Sequence, residues 1–301
     1  ATWNLFGTGA NSTVYALKTL PNGDLIAAGA FSQIDTLTTN YIARWNGTTW
    51  TGFGTTFLNS VVYAITVANN GDIIVGGAFT SFTPNSLGNT TVRNYIARLN
   101  ADGTPDTTCG DNGWMSWTTG GPANPYKVRV MPDGRYAVGG TLGVASIWMF
   151  KADCTLDTSW GNAGKANMPA PTATEITSAL NDFDVASDGS IVATVANTLS
   201  GRLLVARFLP SGGVDTSFGT SGYVSVAPAD NGSPKPGAIR IRPSGKIIVA
   251  ATFTYSSQVG QLPGFAQFTS TGQLDTSFGD RGFQIQNPGS NLVGLPKDMV
   301  L

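Results

Sequence analysis

Histidine is absent from this chain of 301 residues, and glutamate occurs once, at Glu175. That removes the commonest general base, the usual form of the serine-hydrolase triad and the commonest zinc ligand. Charge is scarce too. Charged residues make up 12% of the chain, against roughly 25% in an average soluble domain, so solubility rests on hydroxyl and amide groups. A net charge of −1 gives no general electrostatic case for nucleic acid or an anionic membrane surface. No apolar run approaches the ~20 residues of a membrane span, so membrane insertion is not expected, and no basic stretch leading into an apolar one marks a signal peptide. The chain begins at Ala1, which is compatible with a removed leader. Two cysteines, Cys109 and Cys154, are too few for a disulfide framework or a cysteine metal centre. Neither metal nor cofactor is expected.

What the chain has instead is glycine, 38 of them, spaced with a period. A turn ending in Asn-Gly, Asp-Gly or Ser-Gly and followed by a short apolar run recurs as PNGDLIAAGAF, NNGDIIVGGAF, PDGRYAVGGTL, SDGSIVATVAN and PSGKIIVAATF. The turn glycines are Gly23, Gly71, Gly134, Gly189 and Gly245, at intervals of 48, 63, 55 and 56 residues. Periods of this size belong to solenoids, propellers and arrays. Each repeat reads as four short strands, as in VYALKTL, DLIAAGAF, YIARWN and TTWTGFG of the first. A twisted four-stranded sheet alone has open edges and a naked face, whereas radial packing covers both faces. The expected fold is therefore all-β, a β-propeller of four-stranded antiparallel blades. A linear β-solenoid is the alternative, but its rungs are shorter and more regular. The repeats run approximately over 12–54, 60–118, 124–168, 178–226 and 235–287, with a partial one at 294–301. The chain opens and closes inside strands, so an excerpt of a longer chain is expected.

A second phrase closes the later repeats: TPDTTCGDNGW, TLDTSWGNAGK, GVDTSFGTSGY and QLDTSFGDRGF, with Asp106, Asp157, Asp215 and Asp275 at one position. Joined to the upstream hairpin, this phrase resembles the delta-60 repeat family of bacterial β-propeller proteins over residues 60 to 301. The first repeat departs from it, and its NYIARWNGTTW style is similar to repeats of bacterial surface and phage proteins. The resemblance implies a propeller with mostly non-enzymatic or uncharacterised roles, and it carries over no catalytic residue. Within the phrase Cys109 stands where later copies have Trp160 and Phe218, and Cys154 falls at a hairpin turn of the next repeat. A disulfide between them is possible; a buried small residue and an exposed thiol is the other reading. Phe218 and Phe278, at matching places, are expected to be buried between sheets.

Most of the seventeen Asp residues sit in repeated turn phrases, where Asp caps its own backbone. Only Glu175, Asp182 and Asp184 cluster outside the repeat pattern. Asn100 to Asp106 places oxygens at alternating positions as a calcium loop does, but lacks the terminal bidentate Glu, and a hairpin turn explains it better. Arg44, Arg98 and Arg207 share one place in the third strand, with Met149 and Gln267 in the other copies. They read as a structural charge bonded to carbonyls or a carboxylate rather than as an anion ring. The one basic cluster is Lys235, Arg240, Arg242 and Lys246, with Arg240 and Arg242 on one strand face as candidate partner contacts. Trp114 and Trp117, beside the loop TTGGPANP, are the candidate aromatic surface. No catalytic residue is assigned.

These readings lead to a non-catalytic structural or adhesive module, located extracellularly on a cell surface or a virion. Its expected partners are other protein chains of such an assembly; a glycan-binding, lectin-like propeller is the alternative, and a glycan-active enzyme the third and least favoured reading. The swollen loops at residues 80–94 and 110–125 are where contacts are expected.

Overall fold

The structure, a computed structural model, describes residues 7–54, 57–83, 95–115, 124–142, 144–169, 180–196, 201–229, 232–255, 261–286 and 298–299. Among these there are 23 strands and no helix, and hence no helix long and apolar enough to cross a membrane. The hairpin glycines have φ of 91°, 90°, 85°, 85° and 78° at Gly23, Gly71, Gly134, Gly189 and Gly245. The amides of Gly23, Gly71, Gly189 and Gly245 each donate to the carbonyl three residues back, at 2.8 to 2.9 Å. A turn closed by a left-handed residue lets two twisted strands run straight into each other, and glycine adopts that conformation without steric penalty.

Four sheets are four-stranded, antiparallel and in chain order. The first is Val14–Thr19, Leu25–Gly29, Ile42–Trp45 and Trp50–Gly52. The third is Lys127–Val130, Tyr136–Leu142, Val144–Phe150 and Lys165–Asn167, and the fourth Leu180–Val185, Ile191–Ala196, Leu203–Phe208 and Tyr223–Val226. The fifth is Ser233–Ile241, Ile247–Thr254, Gln261–Phe268 and Phe283–Ile285. The second has three strands, Val62–Val67, Ile73–Gly77 and Ile96–Leu99. A bridge from Ala97 to Trp114 lies where its fourth strand would begin. Second strands such as Ile73–Gly77 are buried throughout, which is why they read as unbroken apolar runs rather than alternating ones.

Tyr15, Tyr63, Asn181 and Gly237, all eight residues before a turn glycine, share a structural role. The ladder shifts register between Val14 and Ala16, Val62 and Ala64, Leu180 and Asp182, and Pro236 and Ala238. Each is thus the extra residue of a β-bulge, which requires a local bend and not an aromatic ring.

The chain divides into two compact units, one of residues 1–130, 134–138 and 150–156, the other of 131–133, 139–149 and 157–301. The first has a core of Ile26, Ile65, Val75, Phe79, Leu99 and Trp114 with their neighbours. The second is built on Leu203, Val205, Phe218, Val249, Phe253 and Phe268.

Candidate functional site

The sharpest geometry in the chain is a junction repeated where one repeat meets the next. In the second unit, Trp160 and Phe218 are 2% and 0% exposed. Each lies under the turn of the following repeat, so close that a Cβ on Gly212 would stand 2.7 Å from the Trp160 ring, and one on Gly272 2.9 Å from that of Phe218. Gly161 donates its amide to the carbonyl of Ser211 at 2.7 Å, and Gly219 to that of Thr271 at 2.9 Å. The first unit repeats the pattern with different chemistry. Gly110 donates to Asp153 at 2.8 Å, while Cys109 and Cys154, both fully buried, form a disulfide with Cα atoms 5.2 Å apart. Phe278, expected to be buried, is half-buried instead, because among the described residues no following turn lies over it.

Polar side chains finish each junction. Arg98 holds Asp106 at 2.7 Å and reaches forward to the carbonyl of Ala152 at 2.6 Å. Arg207 holds Asp215 at 2.7 Å and the carbonyl of Ser270 at 2.6 Å, its guanidinium 4.9 Å above the Phe218 ring. Where Met149 replaces the arginine, the indole Nε1–H of Trp160 donates to the corresponding carbonyl, that of Pro210, at 3.0 Å. Where Gln267 replaces it, Gln267 and Lys246 together hold Asp275, at 2.7 and 2.8 Å. The carboxylate recurs in all four copies and the carbonyl in the three that have a following turn among the described residues, while the donor varies. Buried acceptors left without a donor are costly, so a change of donor is tolerated and its loss is not.

The phrase carboxylates are turn formers. Asp106, Asp157, Asp215 and Asp275 each accept from the hydroxyl and amide two residues on, at Thr108, Ser159, Ser217 and Ser277. Burial pushes Asp106 and Asp215 up, but these bonds and the arginines outweigh it and hold both below the usual carboxylate range. Asp275 is held far below it by Lys246, Ser277 and Gln267. Folded values below the unfolded ~3.9 give stabilisation that is complete above that pH and lost as pH falls through the folded values. The Tm should therefore be level from pH 7 to about 5 and fall steeply below about 4. Asp275→Asn should flatten the drop, and an unchanged acid limb in that variant would count against the assignment.

Two further features were not foreseen from the sequence. Tyr15, Tyr63 and Tyr126 form a row of half-buried rings in the first unit, with centroids 5.4 and 5.5 Å apart; burial and the two neighbours push the Tyr63 hydroxyl up. In the second unit a cavity of about 700 Å³ is walled by Tyr255, Leu262, Leu274 and Phe283, with Asp280 and Arg281 on its lining.

Residues 68–108 and 242–278 match the family described as Domain of unknown function (DUF5122) beta-propeller. The chain is similar in structure to hydrazine synthase of Kuenenia stuttgartiensis, with a TM-score of 0.56 and 11% identity, over 89% of this chain and 67% of that one. The chain has the β-propeller fold. It is also similar to the propeller of Dos1, with a TM-score of 0.50 and 11% identity, over 88% of this chain and 60% of that chain's length. Identity this low shows the fold alone. No curated protein matches the chain.

Within the blades the candidate residues find their places. Trp114 is not a surface aromatic: it is 7% exposed and packs 5.8 Å from Phe79. It follows Gly113 at the place where a fourth strand would begin, the place of Lys165, Tyr223 and Phe283 in other blades, and here it packs into the core of the first unit. Trp117 and Glu175 lie outside the described residues, as do 84–94 and 116–123 of the swollen loops. Arg240 and Arg242 form no free basic face. Arg240 is paired with Asp182, at 2.7 Å, and with Asp298, and Arg242 donates to Gln267 at 2.7 Å. Asp182 and Asp184 accept from the amides of Ile239 and Ile241, lacing two neighbouring first strands together. Asp102 accepts from the amide and hydroxyl of Thr104, a turn rather than a calcium loop. Among the described residues no group of three or more His, Cys, Asp or Glu could hold a metal ion.

Proposed function

We propose that the chain is a non-catalytic propeller module with repeats of the delta-60 kind, making protein–protein or surface contacts on a bacterial surface or a virion. The fate of the carboxylates carries this reading. Among the described residues Asp106, Asp157, Asp215 and Asp275 hold turns, while Asp182 and Asp184 hold a neighbouring strand. Acid–base work needs a carboxylate whose environment is set for a reacting proton, and these six are engaged in packing. The disulfide supports an oxidising location, since cytosolic thiol systems keep such pairs reduced. The lengthened stretches within 80–94 and 110–125 are the contact surfaces of choice, apart from residues 110–114, which belong to the closing phrase that the later blades share. Purified protein incubated with glycan, ester and phosphoester panels is expected to give no turnover. Turnover that disappears on mutating one Asp would reverse the reading, as would cross-links in the intact assembly that avoid both loops.

A second reading has its own observation. The cavity beside Tyr255 combines an apolar wall with a carboxylate and a guanidinium, the composition by which a pocket fixes an amphipathic ligand such as a sugar. A glycan-array signal lost in Tyr255→Ala and Arg281→Ala would favour it.

A further inference from the structure

The disulfide stands in the junction by a double exchange. At the junctions of the second unit the closing phrase supplies an aromatic ring, and the next turn supplies a glycine with φ of 88° at Gly212 or 83° at Gly272. The same turn position is Gly103, φ 87°, in the second repeat. In the third repeat it is Cys154, with φ of 69°, a left-handed conformation that few non-glycine residues adopt. The ring has become Cys109 and the glycine Cys154, while the amide-to-carbonyl bond beside them, Gly110 to Asp153 at 2.8 Å, keeps its place. Ring and glycine are complementary, because the tight approach of the ring leaves no room for a Cβ. Two cysteines satisfy the position only when joined.

We infer that the Cys109–Cys154 disulfide is a redox lock on this one junction, closed in an oxidising environment and opened by a dithiol. In the step a dithiol gives two electrons and two protons to the S–S bond, leaving two thiols, and becomes a cyclic disulfide itself. The reduced junction then holds a side chain in a left-handed turn with no bond to keep it there. Beneath it sits a thiol where other junctions have an aromatic ring. Neither defect exists in a junction of the ring-and-glycine type, so opening is confined to the contact between the second and third repeats. Both sulfurs are buried, so attack on the bond must await local opening, and the rate of reduction reports that opening.

The test is thermal unfolding and hydrogen exchange of the whole chain with and without dithiothreitol, alkylation confirming two free thiols. Reduction should lower Tm by roughly 5–10 °C and speed exchange in residues 106–115 and 150–157, with no change across the Phe218–Gly272 junction. The variant Cys109→Phe/Cys154→Gly, which restores the ring and the glycine, should ignore the reductant and melt above the reduced wild type. Should that variant not fold, Cys154→Gly alone in reductant should still melt above the reduced wild type, because the turn is relieved. Exchange at residues 106–115 and 150–157 that does not change on full reduction would overturn the proposal, as would either variant melting below the reduced wild type.

Discussion

Phe218→Ala is expected to destabilise the chain by about 3–5 kcal/mol, and Phe278→Ala by only about 1–2 kcal/mol, although both residues fill the same place in the same phrase. The difference comes from what lies above each ring. Phe218 is fully buried beneath the turn carrying Gly272, with the Arg207 guanidinium over its face. Its loss would leave a cavity roofed by backbone and would strip Arg207 of an apolar support. Phe278 is half-buried, so truncation removes less apolar area and the space left is open to water. Chemical denaturation of both variants measures the gap. Equal losses would mean that the junction does not place the energy where the geometry does.

Asp182→Ala is expected to cost about 3–5 kcal/mol, more than Asp184→Ala, because it strands a partly buried guanidinium and a backbone amide together. Asp182 is fully buried and accepts from Arg240 at 2.7 Å and from the amide of Ile239 at 3.2 Å. Removing the carboxylate leaves Arg240 with Asp298, which is exposed, and the carbonyl of Ile239. Removing both charges should be milder than removing one. Asp182→Leu/Arg240→Met should recover part of the loss, since an ion pair replaced by apolar groups of similar size is often close to neutral. The free energies of the single and double variants close a mutant cycle, and simple additivity would show that the pair is not coupled.

How far the candidate site was legible depends on the range of the interaction. Turn chemistry was legible because it is local: Asp106 and Asp215 bond to groups two residues away. The shared role of Arg98 and Arg207 could be read from their repeated positions, and the carboxylate eight residues on explains it. Trp114 was misplaced because the segment Trp114 to Trp117 runs into the glycine-rich loop TTGGPANP, while its neighbours in space are the core of the first unit. Asp182 and Asp184 looked like a cluster outside the pattern. Their partners, Ile239, Arg240 and Ile241, are 57 or 58 residues away, and nothing in the local chain points to them.

The sequence by itself determined the class of fold, because a period of 48 to 63 residues in which Asx-Gly and Ser-Gly turns separate strand-length apolar runs reads as repeated sheets of short strands. It also determined where the hairpins close, since only a left-handed residue fits there and glycine takes that conformation most readily. Tertiary structure alone decided which carboxylates are paired, which phrase aromatics are covered, and that Cys154 is bonded to Cys109. Those properties belong to contacts between repeats. Such a contact depends on which side chain of one turn meets which ring of another, and a chain read one repeat at a time holds only half of it.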